Sequence, residues 1–169
     1  MRKLSCVWKP GRAARCWAFA WIVTLLPAAP HVGEPVPYPN DFRGWVHVKS
    51  ALLTTAHPAF QSEGGLHHIY ANPKATEGYK TGQFPDGSVI VYELLETHEK
   101  DGVVSEGTRR RVDVMLKDTA AYGSTGGWGF ERFPGASQTD RAVRDSARAM
   151  CFECHSHAQE HGFVFSRMR

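Results

Sequence analysis

Residues 85–95, Pro85-Asp86-Gly87-Ser88-Val89-Ile90-Val91-Tyr92-Glu93-Leu94-Leu95, carry the firmest structural signal in the chain. Pro-Asp-Gly is turn chemistry: proline fixes its own φ, aspartate bonds to nearby backbone, and glycine adopts left-handed backbone without a steric penalty. The eight residues that follow are rich in β-branched and apolar side chains, which predicts a strand. With a period of two, Ile90, Tyr92 and Leu94 share one face, and Val91, Glu93 and Leu95 share the other.

Working outward, Val46 to Leu53 and Leu66 to Ala71 predict two earlier strands. The second runs into Asn72-Pro73, an N-cap followed by proline in the first helical position, so a short helix is expected to about Lys80, stopped by Gly82. Downstream, Val112, Val114 and Leu116 predict the inner face of a strand, and Trp128 with Phe130 that of another. Polar turns at Lys100-Asp101-Gly102 and from Gly123 to Gly127 separate them. From Ser137 or Thr139 the period changes: Val143, Ala147, Met150, Cys151 and Cys154 fall on one helical stripe, and Phe163-Val164-Phe165 closes the chain as a short apolar strand. The expected fold class is α+β, a mainly antiparallel sheet with a few helices against one side and a C-terminal helix leading into the two cysteines.

That helix ends in Cys151-Phe152-Glu153-Cys154-His155, a C-x-x-C-H pattern. Thiols about one helical turn apart suit thioether bonds to two haem vinyl groups, and the adjacent histidine is then placed to ligate the iron. Two other chemistries use the same residues. A zinc site needs four ligands, and without a second cysteine pair it would have to recruit His157 and His161. A redox-active C-x-x-C sits at the start of a helix after a strand, whereas here about a dozen predicted helical residues precede it.

The N-terminal end has a different composition. Arg2, Lys3, Lys9, Arg12 and Arg15 precede an apolar run from Trp17 to Leu26 and then Pro27-Ala28-Ala29, the basic, apolar, small order of a secretory signal. The apolar run is about half of what spans a bilayer as a helix, so residues 1–29 are expected to be a signal peptide, with an uncleaved membrane anchor as the alternative. The expected compartment is the periplasm or its equivalent outside the cytoplasmic membrane. Residues 30–40 form a proline-rich lead-in, and 41–169 the folded domain. The formal charge of +3 comes from the first 29 residues; without them the chain stands at about −2, which gives no support for nucleic-acid binding. Cys6 and Cys16 also fall in that segment, so Cys151 and Cys154 are the only thiols expected in the mature domain.

The segments Asp41-Phe42-Arg43-Gly44-Trp45, Gly65-Leu66-His67-His68-Ile69-Tyr70, Tyr79 to Val89, Gly126-Gly127-Trp128-Gly129-Phe130 and Cys151 to His155 together resemble the cytochrome P-460 family, in order and over nearly all of the domain. The resemblance implies one covalently bound haem c on Cys151 and Cys154, His155 as axial iron ligand, a mainly antiparallel sheet, and a homodimer. Two branches exist in that family. In one, a lysine on the strand after the Asp-Gly turn is cross-linked to the porphyrin and hydroxylamine is oxidised. In the other, the cytochromes c′-beta, there is no cross-link, and open iron beneath an apolar pocket with phenylalanines binds nitric oxide or carbon monoxide.

Matching Gly82, Asp86, Gly87, Glu93 and Leu94 to the family pattern puts the cross-linking position at Tyr92. The lysine is missing, which favours the gas-binding branch over hydroxylamine oxidation, and no residue stands out as a sixth ligand that would make a plain electron carrier with a partner cytochrome. Tyr92 and, by a looser likeness, Phe60 are the expected pocket residues. Met115 and Met168 are the thioether candidates for the sixth position, and His67, His68 and His157 the imidazole ones. Glu131 and the run Arg109-Arg110-Arg111 are expected on solvated faces.

Overall fold

In a computed structural model, described here for residues 35–168, five antiparallel strands form one meander in the order β1-β2-β3-β4-β5. They are β1 (Val46–Leu53), β2 (Gly65–Ala71), β3 (Val89–Lys100), β4 (Val103–Lys117) and β5 (Trp128–Pro134). The α+β class expected from the sequence is the observed one. The expected signal segment, the start of the lead-in, Cys6 and Cys16 lie outside the described residues, among which no helix is long and apolar enough to cross a membrane.

Local chemistry accounts for the joints. Asn72 Oδ1 accepts from Ala75 N at 2.8 Å and caps α2 (Pro73–Thr81), and Gly82 ends it in left-handed backbone (φ 78°). Asp101 and Gly102, with φ of 52° and 76°, make the two-residue turn that sends β3 back as β4. Because that turn matches the strand twist, the pairing continues to Lys100↔Val103, five residues beyond the expected end of β3.

The sheet buries both faces. On one, Val91, Val112, Val114 and Phe133 pack with Tyr70, Phe42 and Val36. Val36 is 4% exposed, so the described end of the proline-rich lead-in joins the core and the fold starts earlier than Asn40. This face also holds Glu93, fully buried, whose carboxylate takes Arg109 Nε at 2.7 Å and Arg43 Nε at 3.0 Å. On the other face, Ile90, Met115, Trp128 and Phe130 pack with Ala71, Ala75 and Val164.

Two expectations fail at the C-terminal end. Residues 137–143 are not helical: Ala142 N donates to Arg132 O and Val143 N to Glu131 Oε1, so β5 takes the backbone bonds that a helix would have used. Helical backbone starts only at Arg144 and then runs without a gap to His161, changing in pitch from a 3-10 turn (Arg144–Ser146) through a π-helical turn (Arg148–Phe152) and α3 (Glu153–His155) to a second 3-10 segment (Ser156–His161). Residues 163–165 pair with no strand. Phe163 instead takes left-handed backbone (φ 68°) after Gly162 (φ 67°).

Candidate functional site

The Ile90-Met115-Phe130 face forms the floor of a cavity of about 470 Å³, within the range of cofactor sites. Met150, Cys151, Cys154 and His155 line one part of it, and Glu63, Tyr92, Arg111, Asp113 and Arg132 line another.

His155 is built as a metal ligand would be. Its Nδ1 lies 2.8 Å from Phe163 O, a carbonyl that only accepts, so Nδ1 carries the proton and Nε2 keeps its lone pair. The rings of Phe130 and Phe165 stand 5.2 and 5.1 Å from it. Burial lowers the His155 pKa, partly offset by the Phe163 bond, and so favours the neutral imidazole that can bind a metal. Cys151 is half-buried and burial pushes its thiol up to about 11, whereas Cys154 is exposed. Among the described residues no group of three or more His, Cys, Asp or Glu is arranged to hold a metal ion, so His157 and His161 do not complete a zinc site with the cysteines. His157 instead bonds to Cys154 O, and His161 lies by Glu160 and Arg167.

Apart from Tyr92, the polar part of the cavity was not read from the sequence. Tyr92, Asp113 and Arg132 lie side by side on adjacent strands: Tyr92 pairs with Asp113, and Asp113 with Arg132. The next row of this face, two residues along from Met115 and Phe130, is therefore polar and charged. Tyr92 donates its hydroxyl to Glu63 Oε2 at 2.9 Å. Arg111 donates to Glu63 Oε2 (2.5 Å), Asp113 Oδ2 (2.9 Å) and Ser62 O (3.0 Å). Arg132 donates to both oxygens of Asp113, and Asp113 reaches the Cys151 and His155 sites electrostatically. Arg111 is 9% exposed, so this part of the basic run is buried and paired, not solvated. Glu131 is likewise buried, at 4% exposed, and binds Val143 N and Arg141.

Of the expected pocket residues, Tyr92 lines this cavity and Phe60 does not. Phe60 opens the four-residue helix α1 (Phe60–Glu63) and lines a separate groove with Leu52, Leu53 and Val104. Three residues on, α1 turns Glu63 into the cavity in its place. Of the side chains weighed as a sixth ligand, Met115 lines the cavity but sits in the core with Ile90 and Phe130; His67, His68, His157 and Met168 do not line it. Lys80 pairs with Glu77 on the exposed side of α2.

The family model for Cytochrome P460 matches residues 39–166. The chain belongs to the cytochrome P460 family. It is therefore a haem-binding cytochrome, and the match spans the sheet, the cavity and the cysteine motif. No curated protein matches the chain. The residues present fit the family's haem: a cofactor-sized cavity with an apolar floor, two thiols at its edge, and a neutral imidazole whose far nitrogen is already committed to a carbonyl.

Proposed function

We propose that this chain is an exported mono-haem c-type cytochrome that binds small ligands, nitric oxide or carbon monoxide, at an open iron position. Cys151 and Cys154 would hold the porphyrin by two thioethers and His155 Nε2 the iron. The observation that carries the reading is the single imidazole of the cavity: among the described residues lining it, His155 is the only histidine, and its Nδ1 is fixed by Phe163 O. When bound, the haem would supply an iron position for a ligand, and of the side chains weighed as a sixth ligand Met115 alone lines the cavity among the described residues. The basic, apolar, small order of residues 1–29 supports export, and among the described residues lining the cavity there is no lysine to make the family's porphyrin cross-link. A homodimer and a partner cytochrome rest on the family resemblance alone.

The cavity wall favours a second reading, oxidation of hydroxylamine or a related nitrogen compound. The donors of Arg111 and the hydroxyl of Tyr92 are turned onto Glu63, Asp113 and Ser62. A carboxylate has about four lone-pair sites, so Glu63 and Asp113 can still accept from a molecule bearing N–H and O–H groups. Titrating the reduced, haem-loaded protein with nitric oxide and carbon monoxide, alongside hydroxylamine turnover with an added electron acceptor, separates the two. Tight gas binding without turnover supports the first reading, and steady turnover the second.

A further inference from the structure

Tyr92 differs from the other tyrosines for which a hydroxyl partner is seen. Tyr79 pairs with Ser166, and the hydroxyl of Tyr38 accepts from Arg109; neither has a base at hand. Tyr92 donates to a carboxylate, Glu63 Oε2, at 2.9 Å, inside the cavity that Cys151, Cys154 and His155 also line. Its ring is held on two sides, by the His67 ring at 4.9 Å and the Arg111 guanidinium at 5.5 Å.

We propose that Tyr92 is an oxidisable side chain that gives up an electron to the haem site while its phenolic proton passes to Glu63. The proposal rests on the haem reading above.

The physical argument is one of charge. Removing only an electron from a part-buried phenol leaves a cation beside Arg111, in a setting where water screens little. Moving the proton 2.9 Å to Glu63 in the same event leaves a neutral phenoxyl group and a neutral carboxylic acid. Arg111 keeps Asp113 and Ser62 O as partners when Glu63 loses its charge. The Glu63 side chain is 34% exposed, so the proton has a way out to water.

The co-reactant is a peroxide, a two-electron oxidant. Hydrogen peroxide takes two electrons and two protons and leaves as two waters. Starting from the ferrous protein, one electron comes from Tyr92 and one from the haem, which would end ferric; both protons come from solvent, while the Tyr92 proton is held by Glu63. Tyr92 is left as a phenoxyl radical, one electron and one proton short.

The experiment is freeze-quench electron paramagnetic resonance of the ferrous, haem-loaded full chain after peroxide addition, with haem stain on a denaturing gel run in parallel. The expected result is an organic radical signal in the wild type that narrows when the protein carries ring-deuterated tyrosine. The signal should persist in Tyr79→Phe, be lost in Tyr92→Phe, and be diminished in Glu63→Gln. Because the deuterium measurement uses wild-type protein, it holds whether or not a variant folds. A signal unchanged by deuterated tyrosine or by Tyr92→Phe, or no radical from protein that does carry covalent haem, overturns the proposal. A Glu63→Gln signal equal to wild type overturns the part given to Glu63. Absence of covalent haem overturns the haem reading itself and this proposal with it.

Discussion

His155 Nδ1 and Phe163 O, 2.8 Å apart, tie the last residue of the cysteine motif to a loop eight residues on. The loop reaches that position because Gly162 and Phe163 both take left-handed backbone, and Phe163 N is bonded to Ala158 O. A donor bond at Nδ1 makes Nε2 a stronger electron donor to a metal, which stabilises the oxidised iron. Gly162→Val should strain this turn, since a β-branched residue resists positive φ, and weaken the bond. We expect the reduction potential of the haem-loaded variant to rise relative to wild type in a redox titration. An unchanged potential would show that Phe163 O does not tune the ligand.

The pH dependence of the haem-free fold follows from two histidines. Burial lowers the pKa of His155 and also that of His67, whose Nδ1 is buried without a hydrogen-bond partner. Below the ordinary histidine value near 6.5 the unfolded chain binds protons that the folded chain refuses, so stability falls as pH drops. The contribution is fully present above that value and is lost as pH falls through the lowered folded-state values. Thermal unfolding of apoprotein should show a falling Tm from pH 7 to pH 5, and His67→Phe should flatten that slope. A Tm that rises on acidification would contradict the assignment.

Cys151 and Cys154 should react differently before haem is attached. Burial holds the Cys151 thiol up at about 11, and Cys154 is exposed. In protein made without haem attachment, iodoacetamide at pH 8 is expected to alkylate Cys154 well before Cys151, as read by peptide mass spectrometry. Equal rates would mean that the motif is open in the haem-free chain.

Glu93 is a fully buried charge on its face of the sheet. It is paired with Arg43 and Arg109, so Glu93→Ala would leave Arg109 without its buried partner. Breaking such a pair costs on the order of 3–5 kcal/mol. Chemical denaturation should show a loss of that size for Glu93→Ala and a smaller one for Arg43→Ala, because the Arg43 side chain is 48% exposed.

What the sequence made legible is what local chemistry decides. The 85–95 turn and strand, the Asn72 cap and the Asp101-Gly102 turn each depend on neighbours in the chain, and all are found where expected. Charged residues in strands were misread because their partners are distant: Arg109 meets Glu93 across 16 positions, and Arg111 meets Glu63 across 48. A strand alternates whether its polar face is wet or paired, so the pattern of 109–113 could not show that Arg111 and Asp113 face a cavity. The helix expected from Ser137 fails for a similar reason. The apolar spacing of Val143, Ala147 and Cys151 is real, but the buried Glu131 competes for the backbone of Val143 and Arg144. Arg144 then turns to positive φ (45°), which no continuous α-helix accommodates.

Tyr92 stands where, by the family resemblance, one branch carries its cross-linking lysine. A lysine cross-link needs an amine at the porphyrin edge; the residue lining the cavity at that position is a phenol bonded to Glu63, and no lysine is among the described residues that line the cavity. The mass of the native haem-loaded chain should therefore equal the polypeptide plus one haem added through two thioethers, and the ferrous absorption should be that of an unmodified c-type haem. Tyr92→Lys would put an ammonium beside Glu63, where their pairing raises the lysine pKa and keeps the amine protonated and poorly nucleophilic. Tyr92→Lys alone is accordingly expected to leave the haem mass unmodified after peroxide, whereas Tyr92→Lys with Glu63→Leu frees the amine and should yield the cross-linked species with a red-shifted ferrous band. Cross-linking in the single variant would show that Glu63 does not hold the new amine. A cross-linked mass in the wild type would place this chain outside the branch assigned to it.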